Sequence, residues 1–342
     1  MPPIRSFLSD AVNLNGSAIL VTGGTGSFGR AFIRLALTKW KPRRLVVFSR
    51  DELKQYEMQQ ALSVESYSCL RYFIGDVRDC ERLSMAMRDI DIVVHAAALK
   101  HVPAAEYNPF ECIHTNVIGA ENVVRAAIRT GVRRVIALST DKAANPVNIY
   151  GASKLASDKI FVAANHLSGS DGTRFSVVRY GNVIGSRGSV VPLFRKLIDQ
   201  GCKRLPITDP RMTRFWITLN QGAEFVLSCL NAMQGGEIFV PKIPSMRIVD
   251  IAKVLAPHID HEIIGIRPGE KLHEVMIPED DGRMTRELDN LYIIQPSFAG
   301  WRVDGSEDGS RPVADGFRYT SDSNPEWLDP ERFSAMLDSA YA

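Results

Sequence analysis

The sequence has few cysteines and no long apolar segment. Its 342 residues include five cysteines, which show neither a CxxC pair nor the His spacing of a zinc site, so we predict no disulfide framework and no catalytic metal. No run of about 18 consecutive apolar residues is present, and the first residues lack the apolar core of a signal peptide. We therefore expect a cytoplasmic protein with reduced thiols and no membrane anchor.

An excess of charge of one sign is also lacking. The chain has 41 Lys and Arg against 39 Asp and Glu, a formal net charge of +2. Binding to nucleic acid requires a strongly basic surface, which this balance does not provide. The length exceeds that of the usual single compact domain and predicts either two closely packed lobes or one large sheet with a smaller cap. A small-molecule ligand is therefore expected, with no nucleic-acid partner and no membrane partner.

Short apolar runs rich in β-branched residues alternate with helical segments through the first half of the chain. Continuous apolar runs without polar alternation indicate strands buried on both faces, as in a parallel sheet. We predict strands over 18–21, 45–48, 72–74, 92–94, 135–138 and 175–178. Helices are predicted between them, for example over 28–37 and 109–129, the latter ending at Gly131. The alternation predicts an α/β fold with a Rossmann-type doubly wound parallel sheet.

A glycine-rich loop, TGGTGSFG, follows the first predicted strand over residues 22–29. Glycines at this place permit a tight turn and let backbone amides approach a pyrophosphate at the N-terminus of the next helix. The position of the loop between a strand and a helix makes a dinucleotide site the favoured interpretation over an ordinary turn. The predicted cofactor-binding residues of this loop are Gly23, Thr25, Gly26, Ser27, Phe28 and Gly29.

The residues after the second predicted strand bear on the choice of cofactor. A carboxylate there suits the ribose of NAD, whereas a cation suits the 2′-phosphate of NADP. Ser49 and Arg50, with Lys54 one turn later, favour NADP, while Asp51 keeps NAD possible. After the third and fourth strands, further cofactor contacts are predicted from Asp76, Val77, Ala96, Ala97 and Ala98.

The composition changes near residue 185, beyond which segments are shorter and richer in Pro, Gly and Arg. We expect residues 1–185 to form an NADP-binding Rossmann domain that carries the catalytic residues. Residues 186–342 are expected to form a smaller substrate lobe interleaved with it. Residues 305–324 predict a loop, and residues 330–337 predict a short amphipathic helix.

Polar residues follow the fifth predicted strand. Thr140, Asp141 and Lys142 come directly after it, and Tyr150 is the only one of nine tyrosines with a lysine, Lys154, four residues later. Positions i and i+4 share one face of a helix, so Lys154 is expected to lower the pKa of the Tyr150 phenol and make it a general base. The alternatives are a surface Tyr/Lys pair and a solvated Asp/Lys pair.

The loop 22–29, the segment 96–98 and the Tyr150/Lys154 pair resemble the extended short-chain dehydrogenase/reductase superfamily. In that superfamily these elements are the cofactor loop and the catalytic Tyr and Lys, which also contact the cofactor. Most members carry aliphatic or small residues where this chain has Asp141 and Lys142. This departure points to an elimination rather than a simple oxidation.

The stretch 139–150 is similar, more specifically, to the inverting UDP-N-acetylglucosamine 4,6-dehydratases that begin pseudaminic acid synthesis. The resemblance implies oxidation at C4, loss of water across C5–C6, and return of hydride to C6. It implies that Lys142 is the C5 base, Asp141 the acid toward O6, Thr140 a partner of the 4-hydroxyl, and Tyr150 with Lys154 the redox pair. Lys142 must be neutral when it acts, which we expect from burial and neighbouring cations. Many relatives that retain the configuration at C5 carry Met where this chain has Tyr150, which favours the inverting group.

Substrate contacts are expected mainly from the second half of the chain. The segment 267–270, RPGE, resembles the one that nucleotide-sugar members of the superfamily use against the UDP diphosphate. Two other interpretations remain open: a nucleotide-sugar epimerase or C5-retaining dehydratase, and a non-catalytic NADP-binding protein. Because helices of this superfamily commonly pair between copies, a homo-oligomer is expected. The residues predicted to bind a UDP-sugar are Lys100, Asn182, Arg214, Arg267 and Glu270.

Overall fold

The fold is built on a large, mainly parallel β-sheet with helices on its faces. The computed structural model describes residues 5–169, 172–186, 188–296 and 309–341. All six predicted strands are present, each one to three residues longer than predicted. They are β1 (Ala18–Thr22), β2 (Arg44–Ser49), β3 (Leu70–Ile74), β4 (Ile92–His95), β5 (Arg134–Thr140) and β6 (Arg174–Tyr180).

Strands from the second half of the chain extend the same sheet. The remaining strands are β7 (Asn182–Val183), β8 (Arg204–Ile207), β9 (Thr213–Ile217), β10 (Ile238–Pro241), β11 (Ser245–Arg247), β12 (Asp260–Ile263), β13 (Val275–Ile277), β14 (Thr285–Glu287), β15 (Leu291–Ile294), β16 (Arg311–Pro312) and β17 (Tyr319–Thr320). Among the described residues the main sheet has ten strands in the order β16-β14-β15-β10-β6-β5-β4-β1-β2-β3. From β10 to β3 every pairing is parallel. The strand order reverses beside β1 and β4, where ligands bind at the carboxyl ends of strands in open α/β sheets.

Helices cover both faces of this sheet. They are α1 (Ser27–Lys39), α2 (Glu52–Ala61), α3 (Cys80–Ala86), α4 (Val102–Tyr107), α5 (Pro109–Ile113), α6 (Gly119–Thr130), α7 (Ile149–Ser168), α8 (Val190–Asp199), α9 (Leu219–Ala232), α10 (Ile248–Leu255), α11 (Glu279–Gly282) and α12 (Pro330–Tyr341). The helix predicted over 109–129 is instead α5, a π-helical turn (His114–Ile118) and α6. Its predicted stop is confirmed, because Gly131 follows α6 in the left-handed conformation at φ 71°. None of the helices in the described segments is long and apolar enough to cross a membrane.

Two large apolar cores lie in the described chain, together with a small cluster of Ala105, Cys112 and Tyr150. The larger surrounds the main sheet and includes residues from both halves of the sequence. The smaller of the two large cores joins α8, α10 and α12 around Trp216 and Phe333. The domain boundary at residue 185 stays a prediction, although strands β10, β14, β15 and β16 tie the second half to the first.

The predicted C-terminal helix is confirmed as α12, which extends beyond residue 337 to Tyr341. The loop predicted over 305–324 falls partly on residues 305–308, which lie outside the described residues. In the rest of that segment the loop prediction is wrong at two places. There, β16 pairs with β14 and β17 pairs with β13. These short strands take their hydrogen bonds from distant partners, so no local apolar alternation marks them.

Candidate active site

The glycine loop packs so closely that larger residues would not fit. Gly23 has φ +64°, and a Cβ added to it would lie 2.9 Å from the backbone of Ala97. A Cβ on Gly29 would lie 2.6 Å from the backbone of Gly24. Ser27 and Phe28 begin α1 directly after the loop. The absence of these side chains leaves a cradle of backbone amides at a helix N-terminus, which fits the pyrophosphate of a dinucleotide.

A buried hydrogen-bond network holds the loop after β4 beside this cradle. The Thr22 hydroxyl lies 2.9 Å from His95 Nδ1 and accepts hydrogen bonds from the backbone N–H groups of Ala96 and Ala97, at 3.2 and 3.3 Å. Burial lowers the pKa of His95 to about 3, so the ring is neutral. The sequence interpretation used only the small size of residues 96–98, and Ala98 continues that segment. Thr22 and His95 are positioning residues that it did not identify.

Two cations lie after β2, as predicted, but each has a carboxylate partner. Arg50 Nη1 is 3.5 Å from Asp76 Oδ2, and the Lys54 ammonium pairs with Asp51. The Ser49 hydroxyl lies 2.8 Å from Thr25 Oγ1. Hydrogen bonds from Lys54 hold the pKa of Asp51 below its ordinary value.

The residue that follows Asp76 has a structural position. Val77 is buried, and a Cβ added to Gly119 at the start of α6 would lie 2.9 Å from its side chain. Its predicted cofactor contact stays a prediction.

The turn after β5 and the start of α7 fold against each other. Asp141–Ala143 form one turn of 3₁₀-helix, and the Asn148 side chain caps α7 by accepting a hydrogen bond from Gly151 N–H at 2.7 Å. A Cβ on Gly151 would lie 2.3 Å from the Lys142 carbonyl oxygen, so the helix can approach the turn only with glycine there. This contact brings Tyr150 beside Thr140, with which it shares a hydrogen bond.

The side chains of Asp141 and Lys142 face the interior of the site. Asp141 is fully buried, whereas the Lys142 side chain keeps 25% of its surface exposed. The Lys142 ammonium donates to Asp141 Oδ1 at 3.0 Å, and Thr140 Oγ1 donates to the same oxygen at 2.9 Å. The other oxygen, Asp141 Oδ2, has no hydrogen-bond partner among the described residues. Burial raises the pKa of Asp141, which favours the protonated acid.

The expected effect of Lys154 on Tyr150 is wrong for the structure. Burial raises the pKa of the Tyr150 phenol to about 12, against the opposing effects of Lys142 and Thr140. The Lys154 ammonium donates instead to the Leu138 carbonyl oxygen at 2.6 Å, and burial lowers the pKa of Lys154. Spacing of i and i+4 predicted the shared helix face but not the desolvation of the phenol or the competing carbonyl of β5.

The structure favours the charged form of Lys142, contrary to the effect expected from burial and neighbouring cations. Although burial acts against the charged form, the carboxylates of Asp141 and Glu274 raise the pKa of the ammonium above its ordinary value. Glu274 Oε1 lies 3.4 Å from Lys142 Nζ. Sequence reasoning missed Glu274, because nothing in its neighbourhood distinguishes it from an ordinary polar residue beside a short strand.

The predicted substrate residues lie at different depths. Arg214 is nearly enclosed, donates to backbone carbonyls of Thr213, Leu272 and Lys271 and pairs with Glu274 at 3.5 Å. Its substrate contact stays a prediction. Asn182 lies in β7, and its Oδ1 is buried with no hydrogen-bond partner among the described residues. Lys100 is exposed on the loop after β4.

The loop that carries Arg267 and Glu270 docks beside the start of α7. The Gly269 carbonyl accepts a hydrogen bond from Asn148 Nδ2 at 2.7 Å. Arg267 is exposed and forms an ion pair with Glu270. Gly269 thereby attaches the loop to Asn148, which lies two residues before Tyr150 in the sequence.

A parallel Rossmann sheet with a glycine loop after β1 and a Tyr/Lys pair on the helix after β5 defines the extended short-chain dehydrogenase/reductase superfamily. Within it, the chain belongs to a family described as polysaccharide biosynthesis protein, whose model matches residues 19–296.

Known proteins are similar over almost the whole chain. UDP-N-acetylglucosamine 4,6-dehydratase (inverting) from Campylobacter jejuni subsp. jejuni serotype O:23/36 is 60% identical over 330 residues, covering 95% of this chain and 98% of that protein. UDP-glucose 4-epimerase from Rickettsia akari is 43% identical over 331 residues, covering 93% and 94%. The structure of Pen from Bacillus thuringiensis has a TM-score of 0.86 and 34% identity, covering 96% and 98%.

Proposed function

We propose that this chain is an inverting UDP-N-acetylglucosamine 4,6-dehydratase, a hydro-lyase that forms a UDP-4-keto-6-deoxy-N-acetylhexosamine. The observation that carries the proposal is the enclosed Asp141/Lys142 pair beside Tyr150, which supplies an acid and a base in addition to the redox pair. The similarity to a dehydratase of that name at 60% identity supports it independently.

The residues divide the reaction between them. The bound nicotinamide supplies the redox chemistry, by taking hydride from C4 of the sugar and returning hydride to C6. Tyr150 accepts the proton of the 4-hydroxyl as a phenolate, a form that the positive charge of Lys142 favours against the effect of burial. Thr140 holds the sugar oxygen, and Lys154 lies on the same helix, α7. The resulting 4-ketone acidifies C5–H, so Lys142 removes that proton while Asp141 protonates the 6-hydroxyl and water leaves. A proton returned to the opposite face of C5 inverts this centre.

The ion pair seen between Asp141 and Lys142 is one proton transfer away from the reactive form. Moving a proton from the ammonium to the carboxylate gives a carboxylic acid and a neutral amine, the two forms that elimination requires. Enclosure by a substrate disfavours charged groups and therefore favours the neutral pair. The raised pKa of Asp141 favours this transfer, whereas the raised pKa of Lys142 opposes it until the substrate encloses the pair.

Identification of the product tests the function. Incubation with UDP-N-acetylglucosamine and cofactor in deuterium oxide is expected to give loss of water by mass spectrometry, and NMR is expected to show a C6 methyl group with deuterium at an inverted C5. A product that keeps its C6 hydroxyl would indicate the epimerase that the Rickettsia relative suggests. Retained C5 configuration would indicate a retaining dehydratase. Cofactor binding without turnover would indicate a non-catalytic binding protein.

The proposed cofactor is NADP, with NAD the alternative. A substitution of Arg50 is expected to distinguish the two cofactors. Its guanidinium is half exposed and forms the long ion pair with Asp76, at 3.5 Å, so a 2′-phosphate can compete for it. Loss of a charge-assisted hydrogen bond costs about 1.5–3 kcal/mol, so Arg50→Gln is expected to weaken NADP binding roughly 10- to 100-fold and leave NAD binding unchanged. Calorimetric titration with both cofactors measures this.

Arg44→Gln is the matched control, because Arg44 begins the same strand, β2, at the end opposite the cofactor loop. It is expected to change neither affinity. Equal affinities of the wild-type protein for NAD and NADP, unaltered by Arg50→Gln, would contradict the NADP proposal.

We also propose where the enzyme works, which pathway it serves and that it forms an oligomer. None of the five cysteines forms a disulfide, which supports work in the reducing cytoplasm. A product of this kind suits the opening step of pseudaminic acid synthesis, and a homo-oligomer is proposed from the resemblance to the superfamily.

A further inference from the structure

Glu274 is a buried carboxylate to which the proposed reaction assigns no step. It lies immediately before β13 and is 1% exposed. Its backbone is fixed on both sides by Ser321, whose hydroxyl accepts from Glu274 N–H at 2.8 Å and whose own N–H donates to the Glu274 carbonyl at 2.8 Å. Its Oε2 atom has no hydrogen-bond partner among the described residues. A buried anion is costly unless opposite charges surround it.

Three cations surround this carboxylate. Glu274 Oε1 lies 3.4 Å from Lys142 Nζ and 3.5 Å from Arg214 Nε, and Oε2 lies 3.9 Å from Lys271 Nζ. Two of these cations are anchored elsewhere. Arg214 donates to the Lys271 and Leu272 carbonyls at 3.0 and 3.1 Å, and Lys271 donates to the Ala144 carbonyl at 2.5 Å.

Arg214 and Lys271 are held by backbone carbonyls, whereas the Lys142 ammonium is held by carboxylates. Among the described residues its ion-pair partners are Asp141 Oδ1 and Glu274 Oε1, so its ammonium is held between two carboxylates. The two differ in environment. Burial opposes ionisation of both, yet the cations Lys142, Arg214 and Lys271 keep the pKa of Glu274 below its ordinary value, whereas that of Asp141 is raised.

We propose that Glu274 is a positioning residue of the reaction: held by Arg214 and Lys271, its carboxylate fixes the Lys142 side chain against Asp141, so that the amine and the acid stay in contact for proton transfer. The proposal rests on the proposed dehydratase function. Glu274 touches neither the sugar nor the cofactor in this scheme, and it acts through Lys142 and Asp141. Paired groups whose environments differ in this way divide into acid and base.

The charge of Glu274 has a predictable effect on pH dependence. The charged or titratable groups that face Lys142 are Asp141 from its own turn, Tyr150 from α7, Arg214 from β9, and Lys271 and Glu274 before β13. Removing one negative charge stabilises the deprotonated forms of both Lys142 and Asp141. Both limbs of the kcat profile, the one that requires the neutral amine and the one that requires the carboxylic acid, therefore move to lower pH.

The kinetic test compares Glu274→Gln, which keeps the shape, with Glu274→Asp, which keeps the charge. Glu274→Gln is expected to lower kcat by about 10- to 100-fold, part of the 10²–10⁴ that a general base contributes, with unchanged cofactor affinity and both limbs displaced to lower pH. Oxidation at C4 continues, so absorbance of the reduced cofactor accumulates during turnover. Glu274→Asp is expected to retain more activity than Glu274→Gln. The control is Glu237→Gln, a buried carboxylate hydrogen-bonded to Ser176 at 2.6 Å, which is expected to leave kcat unchanged.

A second measurement does not depend on turnover. NMR titration of labelled lysine side chains, with the Lys142 signal identified by its loss in Lys142→Met, is expected to show a lower Lys142 pKa in Glu274→Gln than in wild type. If wild-type protein fails to dehydrate UDP-N-acetylglucosamine but this pKa falls, the proposed function fails while the coupling of Glu274 to Lys142 stands. An unchanged Lys142 pKa, or a Glu274→Gln variant that is faster than Glu274→Asp with an unmoved pH profile, would overturn the positioning role.

Discussion

Replacing Lys142 by methionine is expected to lower kcat for dehydration by about 10²–10⁴-fold, the usual contribution of a general base. Methionine keeps the length of the side chain but has no amine to accept the C5 proton. The fold should persist, because the Lys142 side chain retains 25% exposure and Asp141 can become neutral by protonation. Steady-state rates and the incorporation of deuterium at C5 measure the loss.

The intermediate that accumulates in Lys142→Met identifies the reaction step that the substitution blocks. Tyr150 and Lys154 are untouched, so C4 oxidation is expected to proceed and reduced cofactor to accumulate without release of water. Lys159→Met is the matched control, since Lys159 is an exposed lysine on the same helix as Tyr150. Dehydration by Lys142→Met at the wild-type rate would show that another group removes the C5 proton.

The sequence predicted the parallel sheet because its strands carry their own signal. Each of β1 to β6 contains a short apolar run. In β1, β2, β4 and β5 burial on both faces requires that composition, whereas β3 lies at the edge of the sheet and is only partly buried. The glycine loop was predictable for a similar reason, since only glycine fits at Gly23 and Gly29. Strands such as β16 and β17 were not predictable, because two residues in a Gly- and Asp-rich segment depend on partners far along the chain.

The membership of the candidate site was more predictable than its charge states. Thr140, Asp141, Lys142 and Tyr150 are close in sequence, so one turn and one helix start bring them together. Their protonation depends on burial and on Glu274, which comes from a distant segment that folds over the turn. Burial raises the pKa of Tyr150, and the Glu274 charge helps to keep Lys142 protonated. The spacing of residues in the sequence predicts neither the burial of the phenol nor the position of the Glu274 charge.

The second large effect is expected at Tyr150. Tyr150→Phe should lower the rate of the first step, C4 oxidation, by about 10²–10⁴-fold, because phenylalanine fills nearly the same buried volume and lacks the oxygen that, as a phenolate, accepts the sugar proton. The free energy of unfolding should change by only about 1 kcal/mol, the net value of one hydrogen bond, here the bond with Thr140. Rapid mixing with substrate and absorbance of reduced cofactor measure the step.

The Tyr150→Phe and Lys142→Met variants must fail differently if the assigned roles are correct. Tyr150→Phe stops before hydride transfer, so no reduced cofactor and no C5 exchange are expected, whereas Lys142→Met accumulates reduced cofactor. Tyr72→Phe is the matched control, because Tyr72 lies on β3, away from Thr140. The Tyr72 hydroxyl donates to the Leu62 carbonyl at 2.7 Å, and burial raises the pKa of Tyr72 to about 12 as well. Accumulation of reduced cofactor in Tyr150→Phe would mean that another residue accepts the proton of the 4-hydroxyl, and the phenol would then serve binding rather than proton transfer.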